Sequence, residues 1–140
     1  MLLNVTIASL LMVVTTGIHA SAMLLVMRGV RSHHWHPSEH RRRLHLFSVG
    51  AVVLLMFLAS VLEVLVWSAT YLWLGALEHV EEAAYFSMVT FTTLGYGDIV
   101  LSDQWRLLSS FEAANGIIMF GWTTAIVLAV VQRVYFSEKS

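Results

Sequence analysis

The stretch that decides how this chain is read is Glu82-Ala83-Ala84-Tyr85-Phe86-Ser87-Met88-Val89-Thr90-Phe91, followed directly by Thr92-Thr93-Leu94-Gly95-Tyr96-Gly97-Asp98. Its first part is a short amphipathic run with Glu81 and Glu82 at the start, where a helix N-terminus favours negative charge. The apolar part, residues 83–94, is much shorter than the roughly 20 residues a helix needs to cross a bilayer. Lipid tolerates such a segment only as a re-entrant one, buried in protein or lining a water-filled cavity. The second part has glycine at 95 and 97, which opens dihedrals closed to other residues.

The rest of the sequence puts this stretch in a membrane. Of 140 residues, 58% are hydrophobic and 12% charged, and the mean hydropathy is +0.74. Soluble domains are about a quarter charged. Residues 2–27, 46 to about 71, and 107–131 are each apolar enough and long enough to span. There is no cysteine, hence no disulfide framework. Charge distribution orients the chain. Arg28, Arg31, Arg41, Arg42 and Arg43 lie between the first two spans, and Arg133 and Lys139 follow the third. Glu78, Glu81, Glu82, Asp98 and Asp103 lie between the second and third spans, with Arg106 as the one cation there. The positive-inside rule then predicts the N-terminus outside, residues 28–45 inside, residues 78–106 outside and the C-terminus inside.

Thr93-Leu94-Gly95-Tyr96-Gly97-Asp98 resembles the filter of the potassium channel family, Thr-Val-Gly-Tyr-Gly-Asp, with Leu94 where that family has Val or Ile. The resemblance covers residues 46–133 and is to the single-pore-loop bacterial type, here with an extra N-terminal transmembrane helix. It implies an all-α membrane protein of three transmembrane helices plus a re-entrant pore helix and selectivity filter, assembling as a tetramer around a central pore. The implied parts are an N-terminal transmembrane helix over 1–27, a cytoplasmic linker over 28–45 and a pore domain over 46–136. Within that domain the outer helix is expected at 46–77, the pore helix at 82–92, the filter at 93–98 and the inner helix at 106–132. The implied activity is passive, selective K+ conduction across the cell membrane, with no cofactor besides the permeant ion.

By the same resemblance, backbone carbonyls of Thr93, Leu94, Gly95 and Tyr96 ligate K+, with Gly97 at the outer mouth. Such carbonyls replace the ion's hydration shell. One chain supplies one strand of ligands, so a closed ring requires a homotetramer. Gly116 and Gly121 have the spacing of the family's gating hinge, and a helix-interior glycine relaxes the backbone at a cost of about 1 kcal/mol against alanine. Ile117, Phe120, Thr124 and Leu128 fall on the cavity-facing stripe. Behind the filter the sequence departs from well-known members. Phe86 cannot hydrogen-bond and Val89 stands where some members bury a Glu, whereas Tyr85 can donate to Asp98. Glu112, with Glu63 or Arg106, is expected to prop the filter from the inner-helix side. Leu101 replaces a usual Pro.

Other features carry weaker signals. Ala20-Ser21-Ala22 resembles a signal cleavage site, but residues 1–18 have no Lys or Arg, which favours an uncleaved span. Asn4, Thr15, Thr16 and His19 suggest that one face of this span lies against protein. Gly17 and Ser21 form a small-xxx-small pair, which lets another helix approach. Glu63 is ionisable inside a span and is expected to face protein. Trp67, Tyr71 and Trp73 read as an outer aromatic belt. The linker's His33, His34, His36, His40 and His45 are either a pH or metal sensor or part of a basic segment on anionic headgroups with Arg28, Arg31, Arg41, Arg42, Arg43 and Trp35. The second reading is favoured. Pro37 suits the first turn of a helix leading into the second span. No convergent set of polar side chains points to an enzyme, and nothing points to nucleic acid. The alternatives are a potassium transporter-type subunit and a non-conducting adaptor or silent subunit.

Overall fold

The computed structural model describes residues 1–32 and 41–136. The chain forms four α-helices: α1 (Leu2–Ser32), α2 (Arg41–Trp73), α3 (Val80–Phe91) and α4 (Arg106–Phe136). Among the described residues there is no strand. Three helices contain apolar stretches of membrane length, Leu2–Gly29, Phe47–Trp73 and Arg106–Arg133. At about 1.5 Å per residue each reaches some 40 Å, more than the roughly 30 Å hydrocarbon core. The 12 residues of α3 cover about half that distance. Its length marks it as re-entrant, as the sequence suggests.

α1 packs against α2 and α4, and α3 sits between α2 and α4. One face of α1 is buried at Asn4, Ala8, Leu11, Thr15, His19, Ala22 and Val26. These positions are spaced by steps of three or four, which keeps one helical stripe against its neighbours. Thr16 is exposed, so the protein-facing side carries Asn4, Thr15 and His19 but not Thr16. Gly17 and Ser21 are also exposed. The small-residue pair therefore lies on the side of α1 turned away from the rest of the chain. Apolar clusters join the helices at two levels. One includes Leu11, Trp67, Leu108 and Met119, and the other Ala22, Met56, Ile126 and Val130.

The aromatic belt is corrected by the structure. Trp67 and Tyr71 are fully buried and only Trp73 is exposed. Tyr71 turns inward because a buried acceptor, Glu112, takes a hydrogen bond from its hydroxyl, and Trp67 packs on the same inward face one turn earlier.

Helix ends also differ from the sequence reading. α2 stops at Trp73 rather than 77, where Gly75 takes φ +63 and the Gly75 and Ala76 amides turn back to Leu72 O and Tyr71 O. α3 starts two residues early, at Val80, after an extended His79. α1 runs on to Ser32 and α2 starts at Arg41, so the linker expected over 28–45 is helical at both ends. The expectations placed on His33, His34, Trp35, His36, Pro37 and His40 fall outside the described residues, as do those on the side chains of Arg31, Arg41, Arg42, Arg43 and His45.

Candidate functional site

The quoted stretch forms a helix end and the loop that leaves it. Thr92 caps α3. Thr93 N donates to Thr90 O at 2.9 Å and Leu94 N to Val89 O at 3.0 Å. These 5→2 and 6→1 bonds, with Thr93 at φ +62, make a Schellman ending in which Thr93 holds the position usually given to glycine. A β-branched residue with positive φ is strained. Outliers of this kind cost about 1–3 kcal/mol and cluster at functional sites. Positive φ recurs at Gly95 (+55) and Gly97 (+78). The backbone therefore has the left-handed sign at every second residue, 93, 95 and 97, while Leu94 and Tyr96 do not.

The loop is open on one side and braced on the other. Residues 93–98 are all exposed, including the large side chains of Leu94 (58%) and Tyr96 (67%). A cavity of about 320 Å³ lies between the loop, α3 and the start of α4, lined in part by Tyr85, Val89, Thr93, Asp98, Arg106 and Ser109. Across it Tyr85 Oη donates to Asp98 Oδ2 at 2.7 Å. That hydrogen bond holds the Asp98 carboxyl below the usual carboxylate range and pushes the Tyr85 phenol up.

From the α4 side, Glu112 is fully buried and reaches both neighbours. Ser87 Oγ, in the middle of α3, lies 2.5 Å from Glu112 Oε1 and 2.9 Å from Val64 O. Tyr71 Oη donates to Glu112 Oε2 at 2.6 Å, and Phe86 packs edge-on against Tyr71 at 5.3 Å. α2, α3 and α4 thus meet at one carboxyl. Neither of the partners expected for Glu112 touches it. Arg106 pairs with Asp103 at the surface, and Glu63 is engaged elsewhere. The sequence reading did not identify Ser87 and Tyr71. A serine in the middle of a short helix that must be buried was the signal available.

Glu63 faces protein, and its partner is on α1. His19 Nδ1 lies 2.9 Å from Glu63 Oε1, and His19 Nε2 lies 3.2 Å from Thr123 Oγ1 on α4. Glu63 and His19 are both fully buried. Trp122 stacks on the His19 ring at 5.2 Å.

On α4, Ile117, Phe120, Thr124 and Leu128 are all exposed, on the side opposite the α1 contact. Phe120 also meets Phe91 edge-on at 5.7 Å. The two glycines differ. Gly121 has nothing near its missing Cβ, whereas a Cβ on Gly116 would overlap the backbone carbonyl of Phe91. Gly116 is thus where the backbones of α4 and the end of α3 come closest. Among the described residues no three His, Asp or Glu side chains converge as a metal site.

Three membrane-length helices around a short helix that ends in a glycine-bearing loop define an all-helical membrane protein. A family model described as ion channel (Ion_trans_2) matches residues 59–133, over half of the chain, and the protein belongs to this ion channel family. The matched segment holds the second half of α2, from residue 59 to its end, and all of α3, the loop and the apolar length of α4. Comparison with curated proteins and with solved structures found no match.

Proposed function

We propose that four copies of this chain form a potassium-selective channel of the cell membrane, with the N-terminus outside and the C-terminus inside. The observation that carries this reading is the left-handed backbone at 93, 95 and 97. Alternating handedness turns successive peptide carbonyls to one side. Carbonyls of Thr93, Leu94, Gly95 and Tyr96, with Gly97 above them, then ligate K+ when four loops converge. Exposure of Leu94 and Tyr96 fits side chains that a neighbouring copy covers, since apolar patches left open on one chain mark contact surfaces. The exposed stripe of Ile117, Phe120, Thr124 and Leu128 lines the cavity below. Rubidium or thallium flux into liposomes holding the purified protein, blocked by barium, tests the proposal. Absence of flux at every pH and voltage would point to a silent subunit.

Two predictions concern the braces behind the loop. Glu112 accepts from Ser87 and from Tyr71. Glutamine offers one oxygen, so one of the two donors loses its acceptor, and a buried donor left without one costs about 1–3 kcal/mol. Glu112→Gln is expected to lower K+/Na+ selectivity and shorten sustained current. Wild-type selectivity and current stability in that variant would remove Glu112 from filter support. For Asp98, the Tyr85 bond depresses the folded-state value. Its contribution is therefore present above the ordinary carboxylate range and is lost as pH falls through the depressed value. In Tyr85→Phe, Asp98 is expected to titrate nearer its ordinary value, so that loss of flux on external acidification begins at a higher pH. Superimposable acid limbs for the two proteins would contradict this.

A further inference from the structure

The N-terminal helix lies outside residues 59–133, yet it makes polar contacts with the strap that follows the loop and with α4. Asn4 Nδ2 donates to Gln104 O at 2.7 Å, in the strap between Asp98 and α4. Eleven residues further along α1, Thr15 Oγ1 accepts from Asn115 Nδ2 at 3.0 Å. Thr15 Oγ1 also donates to Met12 O at 3.1 Å. That bond uses its proton and leaves a lone pair for Asn115.

Asn115 is fully buried and its Oδ1 has no hydrogen-bond partner. The bond that Asn115 donates to Thr15 is therefore what fixes this amide. Asn115 also stands at a crowded point of α4. Three residues before it, Glu112 holds Ser87 of α3. The next residue, Gly116, abuts the Phe91 carbonyl at the end of α3, two residues ahead of Thr93. One turn of α4 thus carries the contacts to α3 and to α1.

We propose that α1 is a positioning element for the filter, acting through Thr15–Asn115 at the base of the loop and Asn4–Gln104 beyond its outer end. This rests on the channel reading above. In such an arrangement α1 sets the rotation of α4 at 112–116, and that rotation sets how α3 presents its last turn and Thr93. A helix added only as a membrane anchor has no need of a polar bond to the turn that seats α3.

The test uses the full chain in liposomes, with K+/Na+ permeability ratio and thermal stability of the assembly both measured. Thr15→Val is close to isosteric and removes the acceptor. It is expected to lower the K+/Na+ ratio on the order of threefold or more, the equivalent of an average interhelical hydrogen bond in a membrane, with only a small change in melting. Thr15→Ser, which keeps the hydroxyl, is expected to restore the ratio. Ser21→Ala, on the exposed side of α1 and bonded within its own helix, is expected to leave it unchanged. A conducting Thr15→Val with wild-type selectivity overturns the proposal while leaving the channel reading in place. A wild type without selective flux overturns both. Should Thr15→Val fail to assemble, Asn4→Ala removes the outer contact near the start of α1. The same fall in selectivity is expected there, and an unchanged ratio overturns the proposal.

Discussion

Gly116→Ala is expected to disrupt the protein, and Gly121→Ala to be tolerated. The two substitutions add the same methyl group to the same helix. At Gly116 it would overlap the Phe91 carbonyl, a backbone group that cannot swing aside, whereas at Gly121 nothing lies within 4 Å. Overpacking a close contact costs about 1–3 kcal/mol, and here the displaced group is the end of α3, two residues from Thr93. Loss of assembly or of ion flux is the expected result. At Gly121 helix propensity alone favours alanine, by roughly 0.5–1 kcal/mol. Melting in detergent and thallium flux on both variants decide the matter. The pair also separates two uses of glycine. If Gly121→Ala melts normally but gates differently, the hinge proposal survives at Gly121. If it also gates normally, the lower glycine is not a hinge. A well-assembled, fully conducting Gly116→Ala would mean that α3 and α4 do not meet as described.

His19→Leu is expected to be the most destabilising change on α1. It leaves Glu63 buried without its partner, and where such a pair is charged, removing one side costs about 3–5 kcal/mol. An ordinary interhelical hydrogen bond in a membrane averages about 0.6 kcal/mol and reaches about 1.7. The size of the loss therefore reports the character of the contact. A drop of 3 kcal/mol or more marks a charge left behind, and one near 1 kcal/mol a neutral hydrogen bond. The double variant His19→Leu/Glu63→Leu is expected to recover most of the stability, because replacing both partners by apolar side chains of similar volume is often neutral. A double-mutant cycle on unfolding free energy measures the coupling. No coupling between the two positions would show that α1 is held by its apolar stripe alone.

The parts of this fold that depend on length and glycine spacing were legible in the sequence. Three apolar segments were long enough to span and one was not, and the four helices follow that division. Gly95 and Gly97 announced a loop with unusual dihedrals, and both have positive φ. Positive φ at Thr93 was not legible, because threonine is disfavoured there and only the helix ending imposes it. Facing was the least legible property. A spanning helix is apolar on all sides, so hydrophobic periodicity says little about which side meets protein. Trp67 and Tyr71 were read as belt residues and are core. Polar residues carried what facing information there was. Glu63 and His19 each suggested a protein neighbour, but that they meet each other across 44 residues, with Thr123 as a third member, is fixed by how α1 lies against the other helices. The reach of Glu112 to α3 could be anticipated from its height on α4, whereas its bond to Tyr71 could not.

The Schellman ending gives Thr93 two attachments. It closes α3 and begins the loop, and the next two amides, Leu94 N and Gly95 N, both return to Val89 O. The loop is therefore a span with one fixed post. Its inner end cannot shift without unwinding the last turn of α3, while its outer end is tied by a side-chain bond from Tyr85 to Asp98. Motion that leaves α3 intact has to be taken up from Gly95 outward. A collapse or widening of the loop would start at the top and stop short of Thr93, so the innermost residue would keep its shape after the outer ones had lost theirs.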